Sequence, residues 1–207
     1  MILTLFMREL SLGLRARSGA WATLAFFFLL LALFAFTLTP EILNKSLLGV
    51  VTTALLLSSQ LAVPQLFERD FNDGTLEQFW TLPIAPEWIV AAKLLAFWVM
   101  QLLPIVLLSP VVFYGLGIVV EWQSVVLQLG LFSWVVLSLH GLSAAFTIGS
   151  RAGALMQILI MLPFYIPAVV FVTSTGTIGA WVLGIMALIM VPATSWIAAQ
   201  LLRQAID

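Results

Sequence analysis

Few side chains in this 207-residue sequence could carry out chemistry, and their spacing excludes the common catalytic motifs. The single histidine, His140, precedes Ser143 by three residues on a predicted helix, but no Gly-x-Ser-x-Gly elbow accompanies the pair. Lys45-Ser46 is the only Lys-Ser/Thr pair, and Asn44 stands where a phosphate-binding loop requires glycine. The sequence contains no cysteine. We therefore expect a non-catalytic chain with no intrinsic cofactor, no metal site and no ATP hydrolysis of its own.

The composition indicates that the solvent of this chain is largely lipid. Hydrophobic residues make up 63% of the sequence and charged residues only 8%, whereas about 25% of a soluble domain is charged. The net charge of −1 leaves no basic surface for a nucleic-acid partner. The sequence therefore predicts an all-α membrane protein that contacts the lipid bilayer and does not bind nucleic acid.

Charge-free runs divide the chain into six predicted transmembrane helices within a single domain, residues 1–207. A helix needs about 20 mostly apolar residues to cross the hydrocarbon core. The longest run holds two helices, separated by the polar stretch Thr173–Thr177. The predicted spans are 19–39, 46–67, 93–118, 124–148, 153–173 and 179–201.

The basic residues predict the orientation of these spans. With six spans both termini lie on one side, and seven of the eight basic residues fall on that side, leaving only Lys45 on the other. Because basic residues accumulate on the cytoplasmic side, we expect both termini to be cytoplasmic.

Residues 1–18 form a predicted amphipathic helix ahead of the first span. Thr4, Arg8 and Ser11 recur on one helical face, with Phe6 and Leu10 opposite. Such a helix is suited to lying in the membrane interface.

One cytoplasmic segment, residues 68–87, has the composition of a soluble protein. Asp73-Gly74 predicts a turn, and Thr75 with Gln78 matches a capping box for a short helix over about 75–82. Anionic lipids repel acidic segments, so we expect this segment to bind a protein partner instead. The residues predicted to form this contact are Glu68, Arg69, Asp70, Asp73, Gly74, Thr75, Leu76, Glu77, Gln78, Phe79, Trp80 and Pro83.

The same segment carries a resemblance to a known family. The order Phe67-Glu68-Arg69-Asp70, then Asp73-Gly74-Thr75-Leu76-Glu77-Gln78, then Leu82-Pro83, resembles the cytoplasmic segment of the CcmB family. Two proline-containing stretches, 104–110 and 162–167, are also similar to that family. Phe97 stands where many members would have a histidine before tryptophan, which argues against a haem ligand at that position.

The resemblance implies an ABC-2-exporter-like permease subunit in the bacterial inner (cytoplasmic) membrane. It implies a homodimer, a CcmA-like cytoplasmic ATPase that binds the ATP, and CcmC-like, CcmD-like and CcmE-like partners in cytochrome c maturation. Residues 68–87 would be the coupling segment that receives the movement of the ATPase. Haem would be the substance handled, either exported or passed to a chaperone whose release the ATPase drives.

Other interpretations remain open from the residues. The chain could be an ABC-2-type permease for lipid, drug or glycan, or a non-transporting scaffold for loading the haem chaperone. His140 could ligate haem iron or form an interhelical hydrogen bond. Pro163 and Pro167, one turn apart, are predicted flexing positions of the fifth span.

Overall fold

The computed structural model describes residues 2–15, 18–115, 117–118, 121–148, 153–174 and 177–206. All regular structure within these ranges is helical. Six helical passes run through the bundle: α2 (Ser18–Thr37), α4 (Leu47–Ser59) with a 3₁₀ segment (Gln60–Gln65), α7 (Pro86–Phe97) with a π turn (Trp98–Leu102) and α8 (Leu103–Gly115), α9 (Trp122–Thr147), α10 (Gly153–Thr173) and α11 (Thr177–Ile206). Four shorter elements lie between or before these passes: α1 (Ile2–Arg15), α3 (Pro40–Lys45), α5 (Glu68–Asn72) and α6 (Thr75–Trp80).

The passes have the length and apolarity that a bilayer requires. Five helices in the described part of the chain are long and apolar enough to cross a membrane. The remaining pass, α10, has 21 residues, which at the rise of an α-helix is about 30 Å, the thickness of the hydrocarbon core. The predicted all-α membrane fold is confirmed.

Two passes change helix type next to a proline. Pro64 lies inside the 3₁₀ segment, and the π turn ends two residues before Pro104. Proline has no N–H to donate to the carbonyl four residues earlier, so the helix must locally tighten or widen. Pro110 lies within α8.

The central helix of the bundle is α9, which packs against α7, α8, α10 and α11. Its side chains Phe132, Val135 and Val136 are fully buried. A Cβ at Gly141 would lie 2.7 Å from Leu94 Cδ2 and 3.0 Å from Thr194 Cγ2, so this glycine permits the close approach of α9 to α7 and α11.

The two ends of the bundle differ in their charged residues. One end, called here the charged end, carries α1, α5 and α6 around Arg69 and Lys93. At the opposite end Lys45, Glu121 and Thr173 line a common cleft of about 620 Å³. The structure therefore separates Lys45 from Arg8, Arg69 and Lys93, as the predicted topology requires.

Lys93 lies deeper in its helix than the sequence predicts. The predicted third span starts at Lys93, whereas the helical pass starts at Pro86 and Lys93 lies two turns inside it. The helix can begin at Pro86 because N–H groups in the first turn have no intrahelical partner, so the missing proline N–H removes no hydrogen bond. The side chain of Lys93 is only 5% exposed, so this helical pass buries a charged residue well inside its length.

Candidate functional site

The coupling segment, residues 68–87, contains two short helices, α5 and α6, with a tight turn between them. It then leads into the start of α7 at Pro86. α5 and α6 are separated by Asp73 and Gly74, and Gly74 has φ +68°. Glycine enters this left-handed region without steric cost, so the predicted turn is confirmed. The predicted capping box is wrong, because Gly74 occupies the N-cap, no side chain caps α6 and Thr75 is already its first helical residue.

The aromatic face of the coupling segment is turned inward. Leu76 is 1% exposed and Phe79 5% exposed, and Trp80 packs partly buried against the same core. Hydrophobic burial therefore holds α6 against its own bundle. The expectation that Leu76, Phe79 and Trp80 present an apolar surface to a partner is corrected: these side chains contact this chain.

The acidic face of the segment is turned outward. Glu68, Arg69, Asp73, Glu77, Gln78 and Pro83 are exposed, and Gly74 and Thr75 are partly buried. Arg69 Nε lies 3.9 Å from Asp73 Oδ2. An exposed pair at this distance contributes little stability, so it leaves these side chains free to change partners. Their predicted role in binding an ATPase stays a prediction.

Asp70 differs from its neighbours because it is buried in an ion cluster. Its Oδ2 accepts a hydrogen bond from Lys93 Nζ, and Lys93 Nζ also donates to Glu9 Oε2 at 3.1 Å. The side chains of Lys93, Asp70 and Glu9 are 5%, 9% and 14% exposed. Asp70 therefore cannot contact a partner in this conformation, and its predicted place on the docking surface is corrected.

Arg8 completes what we call the charge cluster: Arg8, Glu9, Asp70 and Lys93. Arg8 Nη1 donates to Glu9 Oε1 at 2.9 Å. The Phe79 ring lies beside both cations, with its centroid 5.2 Å from Arg8 Cζ and 5.7 Å from Lys93 Nζ, within the range of cation–π attraction. The charge cluster thus joins α1, α5, α6 and α7 at one point.

Sequence analysis missed Glu9 and Lys93. Glu9 lies on a third face of α1, between the polar and apolar faces that the pattern predicts, and this face packs against α7. The available signal was Lys93 itself, a single cation in the apolar run that follows Pro86. Buried charges are nearly always paired, but the sequence of this chain alone does not show which residues are the partners.

A cavity of about 380 Å³ lies beside the charge cluster, between α1 and α7; we call it the α1–α7 cavity. Its lining combines three kinds of group. The charged ones are Glu9, Arg69, Asp70 and Lys93, the amides are Gln65 and Gln101, and the others are Leu12, Gly13, Leu66, Ala96, Phe97 and Met100. The cavity therefore offers ionic, hydrogen-bonding and apolar contacts together.

His140 is fully buried at the centre of the bundle. The rings of Phe97 and Tyr165 lie 6.2 and 5.9 Å from its ring. Neither nitrogen has a hydrogen-bond partner among the described residues, so an interhelical hydrogen bond of His140 stays a prediction. Gln60 makes such a bond instead, from Nε2 to Tyr165 Oη at 3.1 Å.

The structure gives no geometric support to a catalytic pair of His140 with Ser143 or to haem ligation by His140. Ser143 Oγ donates to the main-chain carbonyl of His140 at 3.0 Å. Neither the α1–α7 cavity nor the cleft at the opposite end includes His140. Haem ligation by His140 stays a prediction.

The predicted flexing positions lie in the middle of α10. Pro163 and Pro167 are both inside this helix and exposed on the outside of the bundle. Each removes a backbone hydrogen bond. Whether α10 flexes there stays a prediction.

Comparison with known proteins identifies the family. The profile of the family described as CcmB protein matches residues 1–204. The chain is 33% identical over 175 residues to heme exporter protein B of Haemophilus influenzae, covering 83% of this chain and 79% of that protein. It is 36% identical over 172 residues to heme exporter protein B of Rhodobacter capsulatus, covering 81% and 78%. The Escherichia coli K12 protein of the same name is 34% identical over 173 residues, covering 82% and 79%. The chain belongs to the CcmB family.

Proposed function

We propose that this chain is the membrane subunit of an ATP-driven haem-export system in c-type cytochrome maturation. The match to the CcmB family over residues 1–204 carries the proposal, and the relatives are named heme exporter protein B. The chain itself is non-catalytic, and the energy comes from a partner ATPase.

The exposed acidic face of the coupling segment is the docking surface for that ATPase. Glu68, Asp73 and Glu77 give this face three carboxylates against one guanidinium, Arg69. A partner groove rich in basic residues complements this charge, and such complementarity steers association. The buried aromatic side of α6 fixes the angle at which the face is presented.

The charge cluster transmits the movement of the docked segment into the membrane. Asp70 lies in α5, four residues before Gly74, and binds Lys93 inside the third pass and, through Lys93, Glu9 of α1. A buried ion pair is costly to break. The coupling segment, α1 and α7 therefore move as one body when the ATPase pulls on α5 and α6.

The assembly that this function requires contains two copies of the chain and two ATPase subunits, working beside CcmC-, CcmD- and CcmE-like proteins. We place the charged end on the cytoplasmic side of the bacterial inner membrane, with both termini there. Arg8, Arg69 and Lys93 at that end, and Lys45 at the other, support this orientation.

The test is complementation of a strain that lacks this chain. The variant Asp73→Lys with Glu77→Lys reverses the charge of the docking face. We expect it to insert normally, to lose at least ~10-fold in co-purified ATPase and to lower c-type cytochromes, measured by haem staining.

The matched control is Glu41→Lys with Glu121→Lys, two exposed carboxylates of the opposite end. It changes the net charge equally and should retain the ATPase. Equal ATPase recovery with both variants would show that the docking face is wrong. If the deletion strain keeps normal c-type cytochromes, the function itself is wrong.

A further inference from the structure

The α1–α7 cavity has the lining of a water-filled inlet. Arg69 is exposed and lines the cavity beside three members of the charge cluster, so the cavity opens at the charged end. Its volume of about 380 Å³ is about twelve times the roughly 30 Å³ share of one liquid water. Four charged side chains and two amides, Gln65 and Gln101, offer hydrogen bonds to that water. Water also meets Gln101 Oε1, which is buried and has no partner among the described residues.

A second group of polar side chains lies deeper in the bundle, outside this cavity. His140 and Tyr165 are 0% and 4% exposed, and their ring centroids are 5.9 Å apart. Gln60 Nε2 donates to Tyr165 Oη at 3.1 Å, whereas neither His140 nitrogen has a partner among the described residues. We call Gln60, His140 and Tyr165 the inner polar centre. An ionisable side chain inside a membrane bundle commonly faces a polar partner or a water-filled space.

Phe97 contacts both polar regions. Its side chain lines the α1–α7 cavity, and its ring centroid lies 6.2 Å from that of His140, edge to face. Phe97 itself is 8% exposed. Water in a narrow apolar passage gives up hydrogen bonds, so an apolar ring between two polar spaces acts as a barrier to it. Phe97 is therefore placed to control whether water from the cavity reaches His140.

The backbone next to Phe97 is suited to local movement. α7 ends at Phe97, and the π turn, Trp98–Leu102, follows directly. A π turn closes its hydrogen bonds over five residues instead of four, and such turns are frequent at functional sites. Pro104, two residues beyond the turn, has no N–H to donate to the carbonyl of Met100. The segment that carries Phe97 thus lacks part of the hydrogen bonding that holds a regular helix in place.

We propose that Phe97 is an aromatic gate between the water of the α1–α7 cavity and the inner polar centre. In the conformation described here the ring lies against His140 and the gate is closed. When the π turn shifts, the ring moves away, and water enters to hydrogen-bond the imidazole nitrogens. A hydrated path then extends from the charged end to the middle of the bundle.

Exchange of the imidazole C2 hydrogen for deuterium tests the gate, because this exchange requires contact of the ring with solvent. The chain has one histidine, so mass spectrometry of the peptide that contains it reports His140 alone. In the full-length chain in lipid nanodiscs, we expect a finite rate, ~100-fold slower than in the free peptide, because rare opening limits the exchange. Phe97→Ala should raise the rate ~10-fold. Phe97→Leu, which removes less packing, should raise it by a smaller factor.

The route of the water is tested by filling the cavity. A Cβ at residue 13 would lie 3.3 Å from Met100 Cε, so Gly13→Leu places its side chain in the α1–α7 cavity. Added to Phe97→Ala, it should slow the exchange of His140 again. A rate that Gly13→Leu leaves unchanged would mean that water reaches His140 by another route, and would overturn the proposal.

The matched control is Phe132→Ala, with Phe132→Leu beside it. Phe132 is a fully buried ring on α9 that does not line the cavity. These variants should lower the midpoint of thermal unfolding about as much as those of Phe97, but leave the exchange of His140 unchanged.

Three results contradict the gate. Equal acceleration in the Phe97 and Phe132 variants would mean that general loosening of the bundle exposes His140. An unchanged rate in Phe97→Ala would mean that the ring is no barrier, and no exchange in the wild-type chain would make it a fixed wall. The measurement needs no ATPase, so its outcome is separate from that of the proposed function.

Discussion

Lys93 is the residue that holds the charge cluster of the charged end together. It is a cation two turns inside an apolar helix, and it has two carboxylates within hydrogen-bonding reach. Removing an ion from water costs several kcal/mol, which its partners must offset. The charged form of Lys93 is therefore stabilised inside the protein only by the charge cluster. The same holds for its partner Asp70.

Replacing Lys93 by methionine should destabilise the chain by about 3–5 kcal/mol, because buried Asp70 then loses its counter-ion and Glu9 keeps only Arg8. The midpoint of thermal unfolding in detergent measures this. The triple variant with Asp70→Asn and Glu9→Gln should recover much of the loss, since no buried charge remains. Lys45→Met, at an exposed lysine, serves as the control. An unaltered midpoint for Lys93→Met would contradict the importance of the cluster.

The sequence predicts the local conformation of residues in this site better than it predicts their contacts with distant residues. The turn at Gly74 was predictable because Asp-Gly dipeptides have a local conformational cause. The pairing of Lys93 with residues 23 and 84 positions away was not, because contacts at that separation depend on how helices pack. The aromatic neighbours of His140 were not predictable for the same reason, because Phe97 and Tyr165 come from other passes.

At the scale of elements, α6 is held by hydrophobic contact rather than by its own helical stability. It has six residues, far fewer than an isolated helix needs in water. The sequence predicted a short helix here, but the spacing of Leu76, Phe79 and Trp80 could not tell an inward face from a docking face. Burial of Phe79 between two cations decides that question.

Phe79→Ala should destabilise the coupling segment by about 3–5 kcal/mol, the usual cost of a large aromatic truncated in a core. Limited proteolysis within residues 68–87 should become faster while the transmembrane passes stay protected. The neighbouring exposed Gln78 provides the control, because Gln78→Ala removes no buried contact. Equal cleavage rates in the two variants would mean that Phe79 does not anchor α6.

At the scale of the whole molecule, six passes alternate in direction, so three short connections share the end opposite the coupling segment. The all-α membrane fold was predictable because lipid demands uninterrupted apolar length. The 3₁₀ segment and the π turn were not, since proline permits several local adjustments.

The lack of cysteine makes the orientation measurable. In the otherwise cysteine-free chain, Arg69→Cys should react with a membrane-impermeant maleimide only after the cytoplasmic side is opened. Lys45→Cys should react in intact cells whose outer membrane has been permeabilised. Both side chains are exposed, so poor access does not explain a failure to label. The reverse pattern would place α5 and α6 outside and remove the basis for ATPase docking.

The charge cluster also has a consequence for biosynthesis. Its carboxylates, Glu9 and Asp70, leave the ribosome before the lysine that neutralises them. At about 5–20 residues per second, roughly 4 to 17 s separate the synthesis of residue 9 from that of residue 93. During this interval Lys93 is absent, so Asp70 lacks its cation and Glu9 has only Arg8. The charge cluster can therefore form only after the third pass has been made, and a truncated product that stops before Lys93 lacks the cation that joins α1 to α5.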